Sequence, residues 1–293
     1  MESGVPTSLC SVGAMLGEGP CWSAAEQKLW FVDIKRQILH RFAPATGMLE
    51  SWLAPAQPGW VLPATGDRLV AGLQTGLHLF SPEDGRFTPL EPAAADLPGN
   101  RLNDATVDPL GRLWFGTMDD AEERPTGRVY RYAGGHLSAA EIAPTIITNG
   151  PAFSPDGRTL YHVDTLAGTI YALDVASDGT VSRPRLFAQV PPADGYPDGP
   201  TVDSEGCLWI GLFGGWGVRR YAPDGRLLDF VRFPVANVTK IAFGGEDFRT
   251  VYATTARKGL SDADLRDQPL AGNLFTFRVA TPGLAMPPIK LEN

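Results

Sequence analysis

The sequence predicts an all-β protein, a six-bladed β-propeller of four-stranded antiparallel blades. Three observations carry that prediction. Short apolar, aromatic or β-branched segments recur at near-equal spacing, turn signals precede most of them, and no stretch sustains the 3.6-residue apolar period of an amphipathic helix. The recurring segments are LWF at 29–31, LVA at 69–71, LWF at 113–115, LYH at 160–162, LWI at 208–210 and VYA at 251–253, at intervals of 40, 44, 47, 48 and 43 residues. Each has the composition of a buried strand. Turns lead into them at Asp108-Pro109-Leu110-Gly111, Ser154-Pro155-Asp156-Gly157, Ser204-Glu205-Gly206 and Gly244-Gly245-Glu246-Asp247. Before the turns lie other short apolar runs, such as AFS at 152–154 and KIAF at 240–243. Third strands follow as ILHRF at 38–42, GLHLF at 76–80, RVYRY at 128–132, TIYALD at 169–174 and VRRY at 218–221. The pairs Asp84-Gly85, Asp178-Gly179 and Asp224-Gly225 then turn the chain into a fourth strand. The segment ALDVASD around Ala172 is too short and too punctuated for a helix.

Four strands repeated with a period in the forties form a propeller, whose radial repetition protects the sheet edges. The leftover segment PTSLCSVGAML at 6–16 is expected to supply the outer strand of the last blade and close the ring. No linker or shift of composition divides residues 1–293, so one propeller domain is expected.

Composition narrows the function. Lys+Arg 25 against Asp+Glu 33 give a net charge of −8, and without any basic run the chain is not expected to bind nucleic acid. No apolar run approaches the ~20 residues that span a bilayer, and no basic segment precedes an apolar stretch at the start. A soluble, cytoplasmic protein without a membrane partner is therefore expected. Cys10, Cys21 and Cys207 show no C-x-x-C spacing, which argues against a disulfide framework or a thiolate zinc site.

With the repeats in register, Glu18 lies 12 residues before Trp30, Asn103 lies 11 before Trp114, Asn149 lies 12 before Tyr161 and Asp198 lies 11 before Trp209. Every repeat thus delivers its residue to the same end of the central channel. Three share a following Gly-Pro: Glu18-Gly19-Pro20, Asn149-Gly150-Pro151 and Asp198-Gly199-Pro200. Each could simply cap a turn. In one register of a ring, however, two carboxylates and an amide oxygen suit one divalent cation, since the acidic groups would otherwise repel. Calcium, zinc, manganese, magnesium and ferrous iron all remain open. Asn103 is followed by Asp104-Ala105 instead, which points to another task, such as orienting water or hydroxyls.

The segments LGEGPCW from Leu16, WFVDI from Trp30, RLNDATVDPLGRLWFGTM from Arg101, TNGPAFSPDGRTLYHVDT from Thr148, YPDGPTVDSEGCLW from Tyr196 and FGGEDFRTVYATTARKGL from Phe243 resemble the regucalcin/gluconolactonase family of six-bladed propellers. The stretches TARKGLSD from Thr255 and PLAG from Pro269 are most similar to bacterial sugar-acid lactonases of the xylonolactonase and arabinonolactonase type. The resemblance implies metal ligation by Glu18, Asn149 and Asp198, substrate binding by Arg101 and Asn103, and general acid/base work by Asp198. It also implies a substrate-contacting glutamate at a position that here holds Ala121, with Asp120 or Glu122 as stand-ins. The implied reaction is metal-dependent hydrolysis of a sugar-acid (aldono) lactone, a small-molecule substrate, most like a pentonolactone. An esterase or phosphotriesterase on the same platform, and a non-catalytic calcium-binding propeller, are the alternatives.

Other residues read as structural. The histidines His40, His78, His136 and His162 are dispersed, and no Ser-His-Asp order stands out. Trp60 either lines the pocket or fills the channel. Cys21 and Cys207 fall in or beside buried strands and are expected to be inert. Arg257-Lys258 is either a solvated loop or a rim contact to an anionic product. Gly214-Gly215-Trp216-Gly217 lacks the following helix of a phosphate cradle.

Overall fold

The computed structural model describes residues 3–291 and contains six four-stranded antiparallel sheets. Blade 1 runs through Gly17–Ser23, Lys28–Asp33, Ile38–Ala43 and Met48–Leu53, inner strand to outer. The inner strands of blades 2 to 6 are Pro58–Ala64, Asn100–Val107, Thr148–Phe153, Tyr196–Val202 and Val238–Gly244. Each inner strand touches those of its two neighbours, so the ring closes. The segment expected to complete the last blade does so: Thr7–Cys10 pairs with Leu274–Arg278 as the outer strand of blade 6.

Burial follows the radial order of the strands. Gly17–Ser23 is buried throughout, whereas outer Met48–Leu53 alternates between half-buried and exposed. The recurring second-strand aromatics Trp30, Trp114, Tyr161 and Trp209 fill the space between blades. Trp30 meets Trp52 and Phe80, and Trp209 meets Phe243 edge-on at 5.9 Å.

The inner strands share one irregularity that positions the site. Glu18 pairs with Val32 and Cys21 with Trp30, so the inner strand spends three residues where its partner spends two. The same extra residue occurs in all five other blades, at Pro58/Trp60, Leu102/Ala105, Asn149/Ala152, Pro197/Pro200 and Val238/Ile241. A bulge re-aims a side chain out of the sheet's alternation. Here it occurs at one level around the channel.

One element departs from the sequence reading. Between the second and third strands of blade 6 lies a short helix, Asp262–Asp267. Ser261 caps it, accepting from the Asp264 backbone while Asp264 accepts back from the Ser261 N–H. All its residues are exposed or half-buried and only Leu265 packs against the core, so its six residues carry no apolar period to detect. No helix among the described residues is long and apolar enough to cross a membrane.

Candidate active site

The bulges define two layers. The partners of the second-strand residues mark a common level from which to count back three residues: Cys21 faces Trp30, Thr106 faces Trp114, Ala152 faces Tyr161 and Thr201 faces Trp209. Counting back from these partners, and from Leu62 and Ala242 in blades 2 and 6, the first layer is Glu18, Gly59, Asn103, Asn149, Asp198 and Thr239. The residues that follow form the second: Gly19, Trp60, Asp104, Gly150, Gly199 and Lys240. Glycine is required at two of these by crowding. At Gly19 (φ 56°) a Cβ would stand 2.7 Å from the Gly59 carbonyl oxygen, and at Gly199 it would stand 2.7 Å from Lys240 Cβ.

All five residues singled out from the sequence line one pocket of about 210 Å³: Glu18, Arg101, Asn103, Asn149 and Asp198. Leu16, Met118, Ile147, Leu166 and Phe213 form its apolar wall, and Glu122, Thr165, Tyr196 and Lys258 complete it. The other first-layer members turn elsewhere. Thr239 donates to the Gly17 carbonyl at 2.7 Å, and Gly59 offers no side chain. Trp60 does not line the pocket but is buried against Gly72 and Phe115.

A relay of hydrogen bonds orients the amide oxygen. Asp120 accepts from Arg101 Nε at 2.9 Å, and Arg101 Nη1 donates to Asn103 Oδ1 at 2.6 Å. Asn103 Nδ2 donates to Asn149 Oδ1 at 3.0 Å, and Asn149 Nδ2 donates to Thr165 Oγ1 at 2.9 Å. Asn149 is thereby held by both ends, leaving its oxygen one further lone pair. Asp120 also takes Lys35 at 2.6 Å and Gln57 at 3.0 Å, so it steadies Arg101 from behind. Glu122, not Asp120, reaches the pocket wall, where it pairs with Lys258.

The electrostatics match a site built around positive charge. Burial, with Asp104 nearby, pushes the Glu18 carboxyl up to about 7, opposed by its hydrogen bond from Gly19 N and by Lys240 and Arg101. Asp198 is raised well above the usual carboxylate range by burial, Glu18 and Asp104, and Arg101 and Lys258 pull it back. Arg101 itself is buried, which lowers its pKa, while Asp120, Glu18 and Glu122 raise it. Two buried carboxylates that resist ionisation beside an oriented amide oxygen are a donor set that fits a divalent oxygen-loving cation.

Sequence reasoning missed a second charged pair. Lys240 Nζ forms an ion pair with Asp104 Oδ1, and Asp104 Oδ2 accepts from Gly150 N at 3.0 Å. Both side chains are buried and come from blades 6 and 3, on opposite sides of the ring. The signal was present: Asp104 and Lys240 stand where three other repeats have glycine. Beyond them, at the other end of the channel, a cavity of about 350 Å³ is lined by Val107, Phe153, Val202, Phe243 and residues 284–287, with Lys240 its one charged side chain.

The remaining candidates are structural. His40 accepts or donates at Ser51 Oγ over 2.8 Å and stacks on Phe31, and burial lowers its pKa to about 4. His78 meets the Gly76 carbonyl oxygen at 3.1 Å, His162 is buried and stacks on Tyr171, and His136 is exposed. Burial pushes the Cys21 thiol up to about 12. Asp203, Glu205 and Cys207 lie close together, yet Asp203 accepts from the Glu205 and Cys207 backbones, Trp209 Nε1 and Arg220, which uses the carboxylate fully.

Residues 16–257 match the family model described as the SMP-30/Gluconolactonase/LRE-like region. The chain belongs to this family. It is 37% identical to a 6-deoxy-6-sulfogluconolactonase of Pseudomonas putida over 94% of each chain. It is also 37% identical to an L-arabinolactonase of Azospirillum brasilense, over 97% of this chain and 95% of the relative. The structure superimposes on regucalcin of Agrobacterium tumefaciens, described as a calcium-binding protein, with a TM-score of 0.94 and 29% identity over 98% of each chain. With lactonases among these relatives, this chain is an enzyme of the sugar-lactonase type.

Proposed function

We propose that the protein hydrolyses a sugar-acid lactone to its open aldonic acid, with a pentonolactone such as xylonolactone or arabinonolactone preferred, using one divalent cation held by Glu18, Asn149 and Asp198. The observation that carries the reading is the convergence of two charge-resisting carboxylates and one clamped amide oxygen on a single small pocket. The calcium-binding description of the regucalcin neighbour supports a cation, and the arabinolactonase supports the pentonolactone. When bound, the cation supplies polarisation of the lactone carbonyl and acidification of water.

The side chains supply the rest. Arg101, held by Asp120, presents the free part of its donor fork to substrate oxygens on which negative charge develops. Asn103 passes that placement on to Asn149. Asp198 accepts the proton of the attacking water and returns it to the ring oxygen as the C–O bond opens, so one water is added and no proton is lost. The wall of Leu16, Met118, Ile147 and Phe213 covers the carbon face of the ring and limits competing water.

The test is acid release from xylonolactone, arabinonolactone and gluconolactone, corrected for spontaneous opening, by chelated enzyme and by enzyme resupplied with each of the five candidate ions. Rates should drop to background on chelation and return with one ion per chain. If no lactone opens above background with any ion, the lactonase reading is wrong and the cation-binding propeller without turnover moves ahead of it.

A further inference from the structure

The rim of the pocket differs from side to side. Glu122 of blade 3 pairs with Lys258 of blade 6, and behind Arg101 the Asp120 carboxylate takes Lys35 and Gln57 from the loops of blades 1 and 2. On the side of blades 4 and 5 the rim is apolar instead. It consists of Leu166 and Tyr196, the only exposed residues of the pocket lining, at 41% and 42%. Leu166 lies in the turn between Thr159–Asp164 and Thr169–Asp174, and Tyr196 opens the inner strand Tyr196–Val202. The backbone under each is fixed. Thr165 N donates to the Ile147 carbonyl at 3.3 Å, the Thr165 carbonyl accepts from Gly168 N at 3.0 Å, and Tyr196 pairs with Phe213. Neither side chain belongs to an apolar cluster of the core, and Tyr196 has no hydrogen-bond or ring partner among the described residues. Exposed apolar residues scattered singly need no explanation. These two stand on adjacent blades at the mouth of one pocket and do nothing for the fold.

The burial gradient decides which part of a lactone reaches them. Glu18, Asn149 and Asp198 are buried, so a carbonyl held at their level lies deep in the pocket. What the ring carries on its other carbons then faces the exposed rim. A pocket of about 210 Å³ suits one small ring, and a substituent of several carbons extends over the rim. A hydroxyl placed there meets no donor or acceptor on Leu166. A hydrocarbon chain laid across Leu166 and the Tyr196 ring removes apolar surface from water on both partners, which is favourable in proportion to the area covered.

We infer that Leu166 and Tyr196 form an apolar shelf for an alkyl substituent on the lactone ring, which gives this protein a second substrate class, lactones with a hydrocarbon side chain. The inference rests on the lactonase reading above and extends it beyond sugar lactones. The measurement is kcat and KM of wild type, Leu166→Ser, Tyr196→Ser and Tyr196→Phe on arabinonolactone, γ-valerolactone and γ-nonalactone, corrected for spontaneous opening. Thermal melts confirm folding. Wild type should prefer γ-nonalactone over γ-valerolactone by about tenfold or more in kcat/KM, chiefly through KM, because the two differ only in the length of the chain. That preference should fall severalfold in each serine variant. It should persist in Tyr196→Phe, since the ring face and not the hydroxyl carries the contact. Arabinonolactone, which bears no alkyl chain, should be opened by all three variants nearly as by wild type. A wild type that opens arabinonolactone but neither alkyl lactone, or both alkyl lactones equally well, overturns the inference and leaves the lactonase reading standing. So does a preference that survives in both folded serine variants, or a loss on arabinonolactone as large as that on γ-nonalactone. A wild type that opens none of the three removes the lactonase reading itself, and the inference with it.

Discussion

Asn149 illustrates how one side chain is made useful by its neighbours. Its oxygen accepts from Asn103 and its nitrogen donates to Thr165, so rotation of the amide would break two hydrogen bonds. Asn103→Ala should therefore weaken cation affinity about 10–100-fold as well as slow turnover, read by isothermal titration with the metal and by kcat/KM. Unaltered affinity would show that Asn149 needs no such support. Glu18 yields a pH prediction for the cation-free protein. Its folded pKa is raised from a usual value of 4.5 to about 7, so the folded state keeps a proton that the unfolded chain gives up. Stability contributed by this proton is complete below about pH 4.5 and is lost as pH rises through about 7. Melting temperature without cation should fall over that window, and the rise on adding cation should be larger at pH 8 than at pH 5. An equal rise at both pH values would mean that the added ion binds elsewhere.

At the scale of the element, the turn before the second strand of blades 3 and 5 does more than reverse the chain. In blade 5, Asp203 accepts from Glu205 N and Cys207 N at 3.0 Å through one oxygen and from Trp209 Nε1 at 2.8 Å through the other. In blade 3, Asp108 does the same with Leu110 N, Arg112 N and Trp114 Nε1. A single carboxylate thus closes the turn and satisfies the buried indole that holds two blades apart. Asp203→Ala strands the indole N–H and two backbone N–H groups, and should cost on the order of 3 kcal/mol. Denaturant unfolding checks this, and a loss below about 1 kcal/mol would mean that water replaces the carboxylate. By contrast, Ser261→Ala removes the cap of an exposed six-residue helix and should leave global unfolding nearly unchanged.

For the whole molecule, closure and the channel are the two long-range problems. The N-terminal strand and the last strand of the chain meet in blade 6, where Thr7 pairs with Thr276 and Ser8 with Phe275. Removing residues 1–10 should leave Leu274–Arg278 as an unprotected edge, lowering the melting temperature and promoting self-association in light scattering. Inside the channel, the Asp104–Lys240 pair ties blades 3 and 6 across the axis. Lys240→Met leaves a buried carboxylate without its counter-ion beside Glu18 and should destabilise by ~3–5 kcal/mol, more than Asp104→Asn with Lys240→Met together. If the double variant is no better than the single, the ammonium acts through packing alone.

The sequence by itself determined the blade count, the closing segment and five residues of the pocket. Apart from Arg101, which only the family resemblance singled out, each depends on a local pattern repeated in register: an LW-type strand, an Asp-Gly turn, a Gly-Pro after an oxygen-bearing side chain. Such patterns are legible because each blade buries the same faces and needs the same turns. The partners of those five residues were decided only in the tertiary structure. Lys240 was absorbed into an apolar run because its strand is buried, and its carboxylate lies 136 residues away. Glu122 and Lys258 are separated by the same 136 residues and sit on loops, where no period applies. Asp120 and Glu122 could not be told apart by spacing, since the chain's path through Asp119–Arg124 turns one toward Arg101 and the other toward the pocket. A repeat specifies which level of the channel a residue occupies; which side chain it meets across the axis depends on how the ring closes.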